Sequence, residues 1–394
     1  MRQSKLLSSE YATFRPEILD YLRDEVLTEP VTILDPMAGT APLVPFVETH
    51  GHKAYFNDIL PLHSIVNRAK TYEAYQCYLE RGHDWFLQRL LESMATLEGK
   101  RLRISHEWID DAVLEGLAAA WRESEEYDRP IATLMKATIM VCVRPFSSIT
   151  RTSNPTWFKR GGVSSDKDLC EIVRESLGRF EAYYETAYGV STLTTRGQCV
   201  FTARDATELS LPEEVDVILT SPPYCNRLDS LVQYGPENYF LRSVGLAIPE
   251  TDVVIGTTKV QGYKTFAADF DHVTAGAEFA SKFLNRVRNS RKRDDRTYYL
   301  PYYTRYFAML SRTLGTALRH LSAKGTAYVV VQDNGHRGQL IEIDKVIGEV
   351  LAAEGWQVQV VKKWERHHLG LRNVSRDHAF VKPMQFEKLV VIWR

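Results

Sequence analysis

The sequence contains little that would build a disulfide framework, a metal site or a membrane anchor. Its five cysteines are scattered, with no CxxC pair and no histidines at metal-ligand spacing, which argues against a disulfide scaffold and against zinc. No apolar run is long enough to span a bilayer, and the N-terminus leads into no signal-type apolar region. The net charge of −1 supplies no global attraction to polyanions. We therefore expect a soluble, cytoplasmic protein without a bound metal.

Two phosphate-binding signatures are missing from the first strand-to-helix turn, Asp35 to Pro42. A P-loop needs a Lys-Ser/Thr pair after its glycines, and a dinucleotide fingerprint needs the full GxGxxG pattern; neither is present. The turn is nevertheless made largely of small residues, which let a ligand approach the backbone. These features disfavour a cradled pyrophosphate and leave other ligands open.

The segments around this turn predict a dinucleotide-type βαβ half. A β-branched strand, Val31 to Leu34, precedes the turn, and a helix from Pro42 to Thr49 follows it and closes at Gly51. A second strand covers Lys53 to Phe56. Strand, small-residue turn, helix and strand in this order are typical of a parallel, doubly wound sheet.

The rest of the chain continues this sheet after a helical interruption. Helical periodicity dominates Trp85 to Leu91, Ile109 to Trp121 and Ile131 to Val143. Further strands are predicted at Gln198 to Thr202, Val215 to Thr220, Ala327 to Gln332, Trp356 to Lys362 and Lys388 to Trp393, and further helices at Tyr302 to Leu321, ended by Gly325, and at Ile341 to Ala353. The predicted fold class is therefore α/β, a Rossmann-like sheet with a large helical insertion between the second and third strands.

Acidic side chains follow three successive predicted strands, at Asp35, at Asn57-Asp58 and at Asp205. The carboxyl ends of parallel strands meet at one edge, where open α/β sheets bind their ligands. Asp35 can bind a cationic amine, Asn57-Asp58 offers acceptors for ribose hydroxyls, and Asp205 can contact a base edge. An ordinary turn would explain Asp35 alone. Three strand ends together favour a cationic, nucleoside-bearing cofactor.

The loop Thr220 to Tyr224, which reads TSPPY, follows the fourth strand. Each proline fixes φ and removes an N–H, so the carbonyls of Ser221 and Pro222 are left without local backbone partners. Tyr224 adds a flat aromatic face beside these acceptors. Carbonyls next to a ring suit a planar group that carries an amino substituent. A rigid proline turn at a strand end is the simpler alternative for the Pro-Pro pair alone.

This loop resembles motif IV of the amino-methylating DNA methyltransferases, in the Ser-Pro-Pro-Tyr form that is usual for N4-cytosine enzymes. Asp35 to Thr40 is similar to motif I of that family, and Tyr11 to Pro16 to its N-terminal motif. The C-terminal strands resemble its sheet edge. Two features depart from the family pattern: Ala41 occupies the position of the second motif I glycine, and the large insertion lies earlier in the chain than the family's usual recognition domain.

The resemblance implies a class I methyltransferase that uses S-adenosylmethionine and acts on a base flipped out of DNA. It assigns the cofactor contacts to Phe14, Asp35, Pro36, Ala38, Gly39, Thr40, Asn57, Asp58, Asp205 and Ala206. It assigns the target site to Ser221, Pro222, Pro223 and Tyr224. Acceptors would orient the target amine for direct in-line transfer without a metal or covalent intermediate. Cys225 is interpreted as a packing residue and not as a nucleophile.

Contacts to DNA are predicted in two segments. The loop Arg144 to Gly162 interleaves basic and aromatic residues that can contact phosphates and stack on bases, although a solvated loop anchored by its aromatics is an equal alternative. Asn226 and Arg227 directly follow the target-site loop. The predicted DNA-contacting residues are Arg144, Arg151, Trp157, Lys159, Arg160, Asn226 and Arg227.

The sequence thus predicts a site-specific DNA methyltransferase for the exocyclic N4 of cytosine. Residues 1–70 and 197–394 form the expected S-adenosylmethionine-binding catalytic domain, and residues 71–196 a helical insertion that could recognise DNA. Two alternatives stay open: an N6-adenine or RNA base-amine methyltransferase, and a non-catalytic nucleic-acid-binding regulator. Ser221 favours cytosine, because Asp or Asn is usual at this position in the first alternative. DNA is the expected partner, together with a restriction endonuclease if the protein serves a restriction-modification system, in a prokaryotic or phage cytoplasm and in contact with the nucleoid.

Overall fold

The computed structural model describes residues 6–7, 14–95, 108–151, 158–160, 168–189, 196–225, 229–260, 263–365 and 384–394. The strands are β1 (Thr32–Asp35), β2 (Lys53–Asn57), β3 (Ile149–Arg151), β4 (Phe158–Arg160), β5 (Gln198–Thr202), β6 (Val215–Thr220), β7 (Leu321–Gln332), β8 (Asn334–His336), β9 (Gln339–Ile341), β10 (Gln357–Glu365) and β11 (Phe386–Trp393). The helices are α1 (Pro16–Tyr21), α2 (Val44–Thr49), α3 (Pro61–Arg68), α4 (Tyr72–Arg81), α5 (His83–Ser93), α6 (Asp111–Ser124), α7 (Arg129–Val143), α8 (Leu169–Tyr188), α9 (Ser230–Gln233), α10 (Gly235–Ser243), α11 (Phe266–Thr274), α12 (Glu278–Arg288), α13 (Leu300–Leu318) and α14 (Ile343–Ala353).

Seven strands form one sheet in the order β10-β11-β7-β6-β1-β2-β5. The pairs from β7 to β5 are parallel, and β11 is antiparallel to both of its neighbours. The central strands β1 and β6 are largely buried on both faces, as Leu34 and Leu219 show with no exposed surface, which is why most of their residues are apolar. The chain order reverses between β1 and β6, so a topological switch point lies there.

This architecture confirms the predicted fold class, an α/β Rossmann-like sheet with a large helical insertion between its second and third strands. Helices α3 to α8 lie between β2 and β5, the second and third strands of the sheet. In the part of the chain described, no helix has the length and apolarity needed to cross a membrane.

The helices of the insertion build an apolar core to which residues before and after the insertion also contribute. Leu90, Leu117 and Phe180 are completely buried in this core, and Phe240 and Leu241 of α10 join the same apolar cluster. Because α10 follows the TSPPY loop in the chain, the insertion packs directly against the segment that leaves that loop.

The buried ion pair between Arg144 and Glu237 fastens these two parts together. The Arg144 guanidinium donates to both carboxylate oxygens of Glu237, at 2.8 and 2.7 Å, and to the carbonyl oxygen of Gln233 at 2.6 Å. Arg144 is 6% exposed and Glu237 1% exposed. The predicted DNA contact of Arg144 is therefore wrong, because its side chain is committed to an interior carboxylate.

The rest of the segment predicted as a loop also differs from expectation. Residues 149–151 and 158–160 form an antiparallel hairpin, β3-β4, in which Thr150 is opposite Lys159. The sequence analysis predicted one uninterrupted loop here and missed both short strands.

The boundary between α13 and β7 lies earlier than the sequence indicated. The predicted helix cap, Gly325, lies inside β7, where an added Cβ would stand 2.9 Å from the carbonyl oxygen of Asp216 and still closer to Leu321. Glycine is needed here because two strands approach closely beside an irregularity in the β6–β7 register. The predicted start of α2 is also displaced, by two residues, because Pro42 and Leu43 still belong to the turn.

Replacing Arg144 with glutamine tests the buried ion pair. We expect Arg144→Gln to lower the free energy of unfolding by about 3–5 kcal/mol, because Glu237 would remain buried without its counter-charge. Arg122→Gln on α6, at an exposed arginine, is the matched control and should change stability by less than about 0.5 kcal/mol. Urea unfolding measures both, and equal stability of the two variants would contradict this role.

Candidate functional site

The switch point brings together the ends of β1 and β6. Ile33 is opposite Val217, and Leu34 is opposite Ile218, in a parallel pair. The residues that follow these strands therefore reach the same edge of the sheet. The turn that begins at Asp35 and the TSPPY loop are consequently neighbours in space.

The turn after β1 holds two residues with positive φ, Gly39 at 51° and Ala41 at 40°. An L-residue in this region costs roughly 1–2 kcal/mol, which gives a physical reason for a glycine at the position that Ala41 occupies. The methyl group of Ala41 is completely buried, which offsets part of this strain. At Gly39, an added Cβ would meet no atom within 4 Å, so the turn faces open space there.

Helix α3 and the residues after it hold this turn in place. Asn67 Nδ2 donates to the carbonyl oxygen of Gly39 at 2.8 Å, and Lys70 Nζ donates to that of Thr40 at 2.5 Å. Both side chains are at most 5% exposed. Sequence analysis missed these two residues, because no local pattern marks a side chain that bonds a turn 28 to 30 residues earlier.

Asp35 presents a carboxyl group at the end of β1 with very little solvent around it. It is 2% exposed, and burial raises its pKa to about 7, with a smaller contribution in the same direction from the neighbouring Asp58. The N–H of Met37 donates to Oδ1 at 3.2 Å and opposes this shift. A cation placed beside Asp35 would favour the ionised form.

Asp58 braces the turn and retains acceptor capacity. Its Oδ2 accepts the N–H of Gly39, and its Oδ1 accepts the N–H of Leu60 and lies 2.9 Å from His63 Nδ1. Burial opposes ionisation, but His63 and the two N–H donors outweigh it, so the pKa of Asp58 lies below its ordinary value. A carboxylate has about four acceptor positions. The two N–H donors use two of them, so acceptor capacity remains for a ligand hydroxyl.

Asn57 supports the site from within and does not face a ligand. Its Nδ2 donates to the carbonyl oxygens of Pro36 and Arg204, and its Oδ1 accepts from Thr202 Oγ1 and from the N–H of Arg204. These four bonds use the whole hydrogen-bonding capacity of the amide. The cofactor contact predicted for Asn57 is therefore replaced by a positioning role that ties three strand ends together.

The third strand end and the N-terminal segment complete the surroundings. Asp205 is half-buried, and its Oδ1 accepts from the N–H and the hydroxyl of Thr207. Ala206 beside it is 9% exposed. Phe14 is buried in the same apolar cluster as Ala38, so it packs with the small residues of the turn.

The TSPPY loop is anchored at two points. The hydroxyl of Tyr306 on α13 donates to the carbonyl oxygen of Pro223 at 2.7 Å. The hydroxyl of Tyr224 donates to Glu387 Oε1 at 2.6 Å and lies 3.5 Å from Ser221 Oγ. Sequence reasoning did not single out Glu387, because it lies 163 positions from Tyr224. The loop and its aromatic ring are thereby fixed before any ligand binds.

Cys225 is 1% exposed within an apolar cluster, which confirms its interpretation as a packing residue. Trp157, Asn226 and Arg227 lie outside the described residues. Arg151, Lys159 and Arg160 lie on the strands of the β3-β4 hairpin, for which the backbone is described. The described residues include no cluster of three or more His, Cys, Asp or Glu side chains suited to a metal ion.

No protein-family model and no curated protein matches the chain. Two solved structures of the rRNA methyltransferase aviRa from Streptomyces viridochromogenes are similar to it, each at a TM-score of 0.30. One is 10% identical, and the alignment covers 97% of this chain and 86% of that chain. The other is 11% identical and covers 98% and 88%. A TM-score of 0.30 is too low to assign a fold or a function by similarity. The fold is defined by the order and direction of the strands in the sheet.

The buried carboxyl of Asp35 should make stability depend on pH. Its pKa of about 7 in the folded state exceeds the ordinary value of about 3.9, so the folded state holds the proton more tightly. The free energy of unfolding of the wild type, minus that of Asp35→Asn, should therefore fall by up to about 4 kcal/mol as pH rises from about 4 to about 7. Urea unfolding across this range measures the difference, in which other titrating groups cancel. A constant difference would contradict the shifted pKa.

Proposed function

We propose that the protein is an S-adenosylmethionine-dependent methyltransferase that modifies an exocyclic amino group of a nucleobase, with N4 of cytosine in DNA as the target. The observation that supports the proposal is that the loop after β1 and the loop after β6 lie side by side at the switch point and carry different chemical groups. The loop after β1 offers a buried carboxylate and an open turn, and the loop after β6 offers fixed acceptors beside an aromatic ring. The loop after β1 suits a cationic cofactor, and the loop after β6 suits a planar amine.

The residues after β1 and β2 fit S-adenosylmethionine. The buried Asp35 carboxyl, with its raised pKa, gains most from a nearby cationic amino group. Gly39 leaves the space over the turn open, and Asp58 retains an acceptor for a ribose hydroxyl. Asp205 and Ala206 lie at the third strand end, where the resemblance assigns the adenine. When bound, the cofactor supplies an electrophilic methyl group next to the TSPPY loop.

The TSPPY loop fits a flipped base better than a base within a duplex. An exocyclic amine is a poor nucleophile, because its lone pair is delocalised into the ring. Ser221 Oγ and the Pro222 carbonyl can accept the two amine hydrogens and turn the lone pair out of the ring plane, while Tyr224 stacks on the base. Ser221 is too weak a base to remove a proton first. Catalysis would therefore depend on positioning and electrostatics, with proton loss to water accompanying or following transfer.

The β3-β4 hairpin is the proposed contact to nucleic acid in the insertion. Arg151 and Lys159 to Arg160 place three basic residues on two short antiparallel strands, and a β-ribbon can enter a groove or follow a phosphate backbone. The proposal that the insertion recognises nucleic acid depends on this hairpin. Arg144 is not part of it, because of its pairing with Glu237.

Two measurements test the central proposal. We expect Ser221→Ala to lower methyl transfer by about a hundredfold or more, because a lost transition-state hydrogen bond costs roughly 2.7–4 kcal/mol in comparable sites. Cofactor affinity, measured by calorimetry, should stay within about twofold of wild type. Asp35→Asn is the matched contrast and should weaken the cofactor instead. Sequencing that detects modified bases in DNA from cells expressing the protein identifies the modified base and atom. Full activity of Ser221→Ala would overturn the role assigned to Ser221.

Neutralising the hairpin should reduce DNA affinity in a salt-dependent manner. The triple change of Arg151, Lys159 and Arg160 to glutamine should weaken binding and reduce the slope of log affinity against log salt by up to about 2.7, since each phosphate contact contributes roughly 0.9. Fluorescence anisotropy at four salt concentrations measures the slope.

A second triple variant controls for the loss of charge. Arg23, Lys282 and Lys345 are exposed, and each forms an ion pair with an acid three or four positions earlier in the chain. Replacing these three residues with glutamine should leave the slope unchanged. Equal slopes for the hairpin variant and this control would show that the hairpin makes no phosphate contact.

A further inference from the structure

A chain of four side chains links the N-terminal segment to the proposed target site. Arg15 Nε lies 2.5 Å from Oε2 of Glu387, and the other carboxylate oxygen, Oε1, accepts from the Tyr224 hydroxyl at 2.6 Å. The Tyr224 hydroxyl lies 3.5 Å from Ser221 Oγ. Glu387, near the start of β11, is 7% exposed, so water competes little for its oxygens.

The direction of these hydrogen bonds follows from the donor inventory of each group. A guanidinium only donates, and an ionised carboxylate only accepts. Glu387 therefore takes the single hydrogen of the Tyr224 hydroxyl, in a short, charge-assisted bond. The Tyr224 oxygen can then act toward Ser221 only as an acceptor. Among the described residues, the Ser221 hydroxyl has the Tyr224 oxygen, at 3.5 Å, as a partner to which it can donate.

We propose that Glu387 is a positioning residue that, through Tyr224, fixes Ser221 as a hydrogen-bond acceptor and so selects an amino group at the target position. With its hydrogen directed to Tyr224, Ser221 Oγ presents lone pairs to the ligand side. It can then accept an N–H of an amine but cannot donate to a keto oxygen at the same position. This inference rests on the proposed function, because it assigns the substrate group of that same site.

These linked side chains also explain why a tyrosine serves at position 224 better than a phenylalanine. Either ring could stack on a base, but only the hydroxyl relays the preference of Glu387 to Ser221. A site whose polar groups match one substrate group rejects the alternative strongly, because the mismatched partner leaves buried polar atoms unpaired. Arg15 Nε lies beside the second oxygen of Glu387, and its Nη2 donates to the Glu365 carbonyl oxygen at 3.4 Å, so the guanidinium is itself anchored.

Neutron diffraction on deuterated crystals of the full chain reads the hydrogen-bond direction without any reaction. We expect deuterium on the Tyr224 oxygen pointing to Glu387 and deuterium on Ser221 Oγ pointing to Tyr224. Deuterium on Ser221 pointing to the ligand side, or on Tyr224 pointing to Ser221, would overturn the proposal. Because no substrate is needed, this result is independent of whether the protein methylates DNA.

A double-mutant cycle tests the same chain in the reaction. Tyr224→Phe and Glu387→Gln should each lower kcat for methyl transfer by about tenfold, the worth of one hydrogen bond, while calorimetric affinity for S-adenosylmethionine stays unchanged. In the Tyr224→Phe background, Glu387→Gln should have no further effect, since the relay is already broken. Multiplied effects in the double variant would show that Glu387 does not act through Tyr224 and would overturn the proposal.

Glu365→Gln is the matched control. Its side chain is exposed, and its backbone lies opposite Phe386 on the strand beside Glu387. It should retain wild-type kcat, and thermal melting should show all variants folded. A wild-type protein that transfers methyl groups to no nucleobase would reject the proposed function, and the neutron result would still decide the direction of the chain.

Discussion

The parallel pairing of β1 with β6 is the constraint on which the candidate site depends. Two strands that are far apart in sequence become neighbours at the switch point, and each delivers a loop with different chemistry to the same edge. Neither loop would form a site alone: the turn after Asp35 has no group to hold a planar amine, and the TSPPY loop has no carboxylate for a cation. Their juxtaposition is a consequence of sheet order, which the apolar character of both strands enforces through burial on two faces.

Support for these loops comes from three directions. From one side, Asn67 and Lys70 hold the carbonyl oxygens of the glycine turn. From below, Asn57 ties the ends of β1, β2 and β5 together with four hydrogen bonds. From β11, Glu387 holds Tyr224. A site built on such fixed supports presents its acceptors preorganised, which is the condition for catalysis by positioning.

The features that sequence analysis predicted are the local ones. The strands at β1, β2 and β5, the helices of the insertion and the acids at the strand ends follow from periodicity and turn residues within short windows. Helix α8 was also within reach, because Asp168 and Glu171 form a capping box at its start. The non-local features were not accessible: the partners Arg144 and Glu237 are 93 residues apart, and only the fold shows that this arginine faces inward. Gly325 illustrates the same limit, since helix cap and close strand approach both call for glycine.

The packing of α10 into the core of the insertion has a consequence for the modularity of the protein. Phe240 and Leu241 belong to the segment that follows the TSPPY loop, yet they complete a core that the insertion builds. Deleting the insertion would therefore expose the apolar side chains of α10 on the remaining protein. Moving the insertion into another protein would remove the α10 residues that cover part of its core. The core is therefore shared between the insertion and the segment that follows the TSPPY loop, and exchange of the whole insertion as a cassette would disrupt it.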